Sequence, residues 1–282
     1  MPGKTVDDLV VTPGGYRHTS HVHAIGPGHR LDLARGTIQQ MDARGHLVHD
    51  FGPLQIKSGG KPLMPGNVSR HPTLAAGLGE GWIAYAGWTN DTGHPVTLFS
   101  TMWKVPPAPK TNHNQVIFLF SGIQNSTNIY QPVLQWGPSA AGGGPYWAVA
   151  SWYVDGQQGP AFHTNLVQVE PGTVLTGVMT LSGQNNNLFS YDCVFKGIAD
   201  TSLPVSNIQQ LTWNIETLEA YGLQQCSDYP DISSVAFYAI DLQTSAGRPV
   251  LSWTPENAIT DCKQHVDIVS NANPDGEVDI YF

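Results

Sequence analysis

Two glutamates in one short segment are well suited by type to acid–base chemistry. Glu216 and Glu219 follow Trp213 within residues 211–219. A carboxyl group works as a general acid or base when burial beside a second polar group raises its pKa toward the working pH. Further acids are spread along the chain, at Asp155, Asp192, Asp228 and Asp241. Solvated positions at strand ends and turns remain the more ordinary interpretation of all these acids.

The amide of Gln135 is a second candidate, because it lies within a mostly apolar segment, residues 130–137. Alternate side chains of a strand point to opposite faces, so one face can fill a core while the other lines a groove. Tryptophans occur beside Gln, Ser and Thr on this segment and its neighbours. Aromatic rings combined with planar amides hold sugars and extended peptides, although most tryptophans in such segments belong to the core.

Metal and serine chemistry fit the sequence less well. His18, His21 and His23 form the densest histidine group, but no Cys, Asp or Glu lies at ligand spacing beside them. Ser139 lies in a glycine-rich stretch that lacks the elbow motif of serine hydrolases. We therefore predict no metal site and no cofactor.

The composition predicts an all-β protein that does not bind nucleic acid. The 282 residues are 40% hydrophobic and 12% charged, with 30 glycines and 21 prolines, which is typical of short strands joined by tight turns. The net charge is −9, and nucleic-acid binding requires a basic surface. No apolar run approaches the roughly 18 residues of a membrane span.

The cysteines and the first residues of the chain bear on the cellular compartment in which the protein is found. Cys193, Cys226 and Cys262 are odd in number and widely spaced, so we expect three reduced thiols, with one disulfide and one free thiol as the alternative. The first residues lack the apolar core of a signal peptide. We therefore expect a cytoplasmic protein, with non-classical secretion or a lost signal as alternatives.

Strand-like segments divide the chain into an extension and a main domain. Residues 1–80 are predicted to form β-hairpins and a linker, with a turn at residues 42–45. Residues 81–282 contain ten or more strand segments with hairpin-length gaps, which predicts an antiparallel sandwich or barrel. Short helical turns are expected at most at residues 215–223 and 255–259.

The order of motifs over residues 80–245 resembles that of the glutamic peptidases called eqolisins. The resemblance is carried by Gly122-Ile-Gln-Asn, Pro132-Val-Leu-Gln-Trp-Gly, Ala150-Ser-Trp-Tyr, Val169-Glu-Pro-Gly-Thr-Val and Leu211-Thr-Trp-Asn-Ile-Glu-Thr-Leu-Glu. It implies a concanavalin-like antiparallel β-sandwich (jelly roll) and descent from acid-active, chiefly fungal endopeptidases that use a Gln–Glu dyad. Gln135 matches the dyad Gln, whereas the dyad Glu falls on Thr212.

The same resemblance implies that other acids of the peptidase groove are replaced, by Gln124 and Ser151. Glu216 matches a different family glutamate, about 13 Å farther along the strand. Because threonine cannot act as the general base, we expect a lectin-like protein that binds a glycan or an extended peptide in the former peptidase groove. The predicted ligand-binding residues are Gln124, Gln135, Trp136, Ser151, Trp152, Thr212 and Trp213. The alternative is a glutamic-peptidase-like hydrolase with a rebuilt dyad of Gln135 and Glu216.

Overall fold

Two large β-sheets make up most of the chain, as the strand-like segments predict. The computed structural model describes residues 8–54, 78–156 and 159–282. The nine-stranded sheet contains, in spatial order, β19 (Thr254–Asn257), β7 (Gly81–Thr89), β17 (Trp213–Tyr221), β9 (Val116–Gln124), β10 (Asn128–Trp136), β11 (Trp147–Asp155), β12 (Ala161–His163) and β3 (Val22–Ala24), with β13 (Val167–Gln168) also paired to β11. The predicted all-β fold is confirmed.

The second sheet has ten strands. In spatial order they are β20 (His265–Ser270), β21 (Gly276–Tyr281), β18 (Ser234–Thr244), β8 (Val96–Lys104), β14 (Val174–Asn185), β15 (Leu188–Phe195), β16 (Leu203–Ile208), β4 (Arg30–Asp32), β5 (Thr37–Met41) and β6 (Leu47–Pro53). A separate hairpin, β1 (Leu9–Thr12) and β2 (Gly15–His18), pairs only with itself within the described strands. We call β1–β2 the N-terminal hairpin.

The nine-stranded sheet is covered on both faces. Its inner face packs against the ten-stranded sheet in a cluster that includes Leu119, Leu134, Phe99 and Trp103. Its outer face carries a second apolar cluster, formed by Trp82, Tyr85, Val116, Phe118, Phe120, Ile129, Val133, Ala150, Trp152, Val154, Ala161, Ile215 and Tyr221. Burial on both faces explains why β9, β10 and β11 are buried at every position, whereas β15 alternates.

The predicted N-terminal extension is built into both sheets. β3 pairs in parallel with β12, and β4 pairs in parallel with β16. The turn predicted at residues 42–45 is confirmed, because it joins β5 to β6 and Gly45 has a φ of +84°. The boundary at residue 80 stays a prediction, since most of the expected linker, residues 55–77, lies outside the described ranges.

Two expectations about local structure are wrong. The expected helical turns at residues 215–223 and 255–259 fall largely on strands β17 and β19. Cys226 and Cys262 form a disulfide, and Cys193 is a buried free thiol. The expectation of three reduced thiols is thus wrong, and the alternative of one disulfide and one free thiol is confirmed. Folding brings together two cysteines that are 36 positions apart in the sequence. In the described ranges, no helix is long and apolar enough to cross a membrane.

Candidate functional site

The outer face of the nine-stranded sheet brings Glu219 and Gln135 into one lateral row. Glu219 on β17 lies opposite Phe118 on β9, and Phe118 lies opposite Gln135 on β10. Residues opposite one another in adjacent strands point to the same face. Thr212 precedes Glu219 by seven residues, which is about 23 Å along an extended chain. Gln135 and Thr212 therefore do not share one site.

Glu219 is a buried carboxyl that binds a backbone amide. The N–H of Gly14 donates to Oε1 and Oε2 of Glu219, at 2.8 and 3.1 Å. The Tyr221 hydroxyl also donates to Oε1. Burial raises the pKa of Glu219 to about 7, although hydrogen bonds from Tyr221 and Gly14 and the charge of Arg17 act in the opposite direction. This carboxyl can exchange a proton near neutral pH.

The N-terminal hairpin covers this part of the outer face. Val11 and Tyr16 pack against the apolar cluster, and the Tyr16 ring meets the Tyr221 ring edge-on with centroids 5.2 Å apart. The carbonyl oxygen of Val11 accepts from the N–H of Ala140 at 2.8 Å. The open groove predicted from sequence is therefore filled by a segment of the same chain.

The peptide group between Pro13 and Gly14 lies between two polar side chains of the sheet. Glu219 accepts from its N–H. The Gln131 amide nitrogen lies 3.5 Å from its carbonyl oxygen, which is Pro13 O. Gln131 is fully buried and lies four positions before Gln135 on the same strand, so both amides belong to the outer face. A carboxyl and a carboxamide thus approach opposite ends of one peptide bond.

Gln135 is used to hold a loop. Its Nε2 donates to the carbonyl oxygens of Gly137 and Gly142 at 2.8 and 2.9 Å, and its Oε1 accepts from the Ser139 hydroxyl at 2.7 Å. The side chain is 1% exposed. Gly143 is required here, because its φ is +104° and a Cβ would lie 2.6 Å from Nε2 of Gln135. With both N–H hydrogens engaged, Gln135 is not positioned to donate to a substrate.

Glu216 lies on the opposite face of β17 from Glu219. Its Oε1 accepts from the Thr101 hydroxyl of β8 at 2.6 Å, so the side chain points between the two sheets. Burial raises the pKa of Glu216 well above its usual value, with the Thr101 hydrogen bond acting in the opposite direction. The predicted pairing of Gln135 with Glu216 in one groove is corrected, because the two side chains face opposite sides of the sheet.

The predicted ligand-binding residues divide between the two faces. Ser151 donates to the carbonyl oxygen of Thr201, next to the ten-stranded sheet. Trp136 contacts Trp147 in the core between the sheets, with the two rings tilted by 59°. These two residues are therefore placed away from the predicted groove. Trp152 is fully buried on the outer face and contacts the His163 ring at 4.7 Å.

The remaining predicted ligand-binding residues lie at the far end of the same sheet. Gln124 pairs with Trp213 across β9 and β17, and its side chain is buried. The N–H of Thr212 donates to the carbonyl oxygen of Gln124 at 2.8 Å. Every tryptophan of the chain is buried except Trp213, which is partly exposed. The rings thus form walls and core; the structure does not present them as an open stacking surface.

The histidine group has a packing role in this structure. His23 contacts the rings of Phe51 and Phe162, and burial, followed by the nearby His49, His21 and His163, lowers its pKa. In the part of the chain that the structure describes, no three His, Cys, Asp or Glu side chains are grouped to hold a metal.

Comparison with solved structures finds glutamic peptidases. Scytalido-glutamic peptidase bound to a peptide-based transition state analogue aligns with 73% of this chain and 99% of its own, at 12% identity and a TM-score of 0.48. A second complex of that peptidase gives 0.45, and SCP-B of the eqolisin family, with the tripeptide Ala-Ile-His, gives 0.39, both at 12% identity and the same coverage.

These similarities are too loose to transfer individual residues. No family model and no curated protein matches the chain. The site is therefore defined by the contacts of the chain itself, which select Glu219 and Gln131. Glu219 was visible in the sequence as one of two neighbouring acids. Gln131 could have been found from its even spacing to Gln135, but the covering hairpin left no signal in the sequence.

Proposed function

We propose that this protein is a hydrolase of the glutamic-peptidase type, in which Glu219 is the general acid–base and Gln131 binds the carbonyl oxygen. The observation that carries the proposal is the Pro13–Gly14 peptide group, with the Glu219 carboxyl at its N–H and the Gln131 amide at its oxygen. The hairpin occupies the position that a substrate chain would take. This is the alternative function that the sequence left open, with a different pair of residues.

The reaction requires Glu219 to handle one proton twice. Ionised Glu219 takes a proton from a water molecule as that water attacks the carbonyl carbon. The protonated carboxyl then gives the proton to the nitrogen as the C–N bond breaks, which leaves a carboxylic acid and an amine. A carboxyl whose pKa is about 7 is able to serve in both forms below and near neutral pH.

Gln131 supplies a donor where negative charge develops. Its amide N–H faces the oxygen that becomes the oxyanion in the tetrahedral intermediate. The 3.5 Å separation is long for a hydrogen bond, and such contacts often shorten when the reacting geometry is reached. Gln135 supports the neighbouring loop and takes no direct part.

Carbohydrate binding is less well supported. Sugar recognition needs accessible aromatic faces, and the tryptophans predicted to stack on a ligand are buried, with Trp213 only partly exposed. A peptide group, by contrast, already occupies the polar centre of the outer face.

Cleavage of a denatured protein substrate between pH 3 and 7 tests the proposal. Since the hairpin fills the site, the assay uses the full-length Arg17→Ala variant, which loses the buried anchor of β2, with and without a second change. We expect Glu219→Gln to lower the cleavage rate by a factor of about 100 or more. Glu216→Gln, which changes a buried carboxyl on the other face of the same strand, should retain cleavage. The proposal is overturned if the Glu219→Gln variant still cleaves the substrate. It is also overturned if the Arg17→Ala variant shows no cleavage although its hairpin is displaced.

A further inference from the structure

Arg17 of the N-terminal hairpin fills a guanidinium-binding pocket on the main domain. Its two terminal nitrogens donate to the carbonyl oxygens of Gly159 and Gly156, each at 2.8 Å. The side chain is 3% exposed. The negative charge of Asp155 also acts on the guanidinium. The pocket is formed by the end of β11 and the residue before Pro160, so it belongs to the sheet that also carries Glu219.

Burying an arginine costs free energy unless its charge and its donors find partners. In Arg17 both terminal nitrogens are bonded, whereas Nε has no hydrogen-bond partner among the described residues. Burial lowers the pKa of Arg17 to about 10, with the charge of Asp155 acting to raise it. The Asp155 carboxylate is in turn held by the Asn128 side-chain amide. The pocket therefore offers two carbonyl oxygens, of Gly156 and Gly159, and the nearby carboxylate of Asp155. These groups suit a planar cation, and an apolar side chain in the same place would leave them without hydrogen-bond partners.

The second anchor point lies three residues earlier in the hairpin. The N–H of Gly14 binds Glu219, and both Gly14 and Gly15 have positive φ, at +100° and +113°. Side chains other than glycine rarely adopt that conformation. The space around Gly14 is open enough for a Cβ, with Val154 3.7 Å away, so backbone conformation favours glycine there. The outer face therefore fits a turn made of two glycines, with an arginine two positions after the second glycine.

We propose that the outer face is a recognition site for a Gly-Gly-x-Arg segment, that the pocket at Gly156 and Gly159 selects the arginine, and that residues 9–18 are its resident ligand. This proposal rests on the proposed function, because it takes the site around Glu219 to be the place where a substrate binds. It adds the substrate class: polypeptides with a basic residue three positions after the amide that meets Glu219.

The connectivity of the hairpin favours a removable ligand. β1 and β2 pair with each other, and within the described strands they extend neither large sheet. The hairpin is joined to the rest of the chain by hydrogen bonds with Glu80, Gln131, Ala140, Glu219 and the Arg17 pocket, and by the packing of Val11 and Tyr16. Displacing it would leave the pairing of both sheets intact.

A peptide-binding measurement tests the proposal without requiring hydrolysis. The probe is a fluorescent peptide with the sequence of residues 9–18, and its control is the same peptide with Arg17→Leu. Each is titrated into full-length wild-type chain and into the full-length Arg17→Ala variant. We expect little binding to the wild type, whose site is filled, and binding to Arg17→Ala at least about tenfold tighter for the arginine peptide. Adding Asp155→Asn should reduce that preference, whereas Asp192→Asn, at a partly buried carboxylate bonded to Ser202, should not.

Hydrogen exchange at residues 9–18 shows whether the hairpin has been displaced. Equal affinity for the two peptides, or no binding to a variant whose hairpin exchanges freely, overturns the proposal. If neither Arg17→Ala nor Gly14→Pro increases that exchange, the hairpin is a fixed part of the fold and the proposal is also overturned. Arginine-selective binding without cleavage of any polypeptide would contradict the proposed hydrolase function and support the recognition site. Cleavage without a preference for arginine would support the hydrolase function and contradict the recognition site.

Discussion

The backbone N–H of Gly14 lies 2.8 Å from Oε1 of Glu219, although the two residues are 205 positions apart in the chain. This contact joins the N-terminal hairpin to the outer face of the nine-stranded sheet. It also places the Glu219 carboxyl against a backbone N–H. Glu216, three residues away on the same strand, instead binds Thr101 between the sheets.

The raised pKa of Glu219 predicts a specific dependence of stability on pH. Its folded-state pKa is about 7 against an ordinary value of 4.5, so the folded protein binds this proton more tightly than the unfolded chain. The stabilisation is fully present below pH 4.5 and is lost as pH rises through 7. The difference corresponds to about 3 kcal/mol. Denaturant unfolding at pH 4 and pH 8 should show wild type losing that amount relative to Glu219→Gln.

Histidines whose pKa is lowered change stability in the opposite direction, so the pH profile of the wild type is compared with that of Glu219→Gln. Burial lowers the pKa of His163, and of His23 together with neighbouring histidines, so their contribution is present above pH 6.5 and is lost at lower pH. These histidines are the same in wild type and in Glu219→Gln and therefore cancel in the difference. Parallel pH profiles for the two proteins would refute the raised pKa.

Two glutamines of one strand should differ in their effect on stability. Gln135→Leu leaves the Gly137 and Gly142 carbonyls and the Ser139 hydroxyl without their partner, and we expect a loss of about 1–3 kcal/mol. Gln131→Leu has a similar volume change but removes one long contact, so its loss should be smaller. Urea unfolding of both variants measures the difference. Equal losses would contradict the assignment of Gln135 to the loop.

The disulfide predicts the number and reactivity of thiols. Native protein should show no thiol that reacts with a disulfide reagent, because Cys193 is buried and the other two cysteines are bonded. Unfolding without a reductant should expose one thiol. Replacing Cys226 and Cys262 together by Ala should cost about 3–4 kcal/mol, from the entropy of a loop of this length. Three thiols after unfolding would show that the bond is absent.

The fold could be predicted from sequence because it depends on local patterns. Strand segments with hairpin-length gaps are visible without knowing which segments pair. The faces of those strands could not be read, because β9 and β10 are buried at every position and show no alternation. Which of Glu216 and Glu219 faces outward depends on the pairing of β17 and on a hairpin 205 positions away.

The alternation of side chains along a strand already separates some of the predicted site residues. Adjacent residues of a strand point to opposite faces, so Gln135 and Trp136 cannot line one groove, nor can Ser151 and Trp152. In the structure Trp136 and Ser151 point toward the inner face and the other two lie on the outer face. The same rule links Gln131 to Gln135. The filling of the groove by the N-terminal hairpin, however, is a tertiary contact with no local sequence pattern.

The amide signal of Gly14 in a pH titration by NMR tests the central claim most directly. Because this N–H donates to Glu219, its chemical shift should follow the ionisation of that carboxyl, with a midpoint near pH 7. In Glu219→Gln the transition should disappear while the amide stays protected from exchange. A midpoint near 4.5, or a Gly14 amide that exchanges freely in the wild type, would contradict the account.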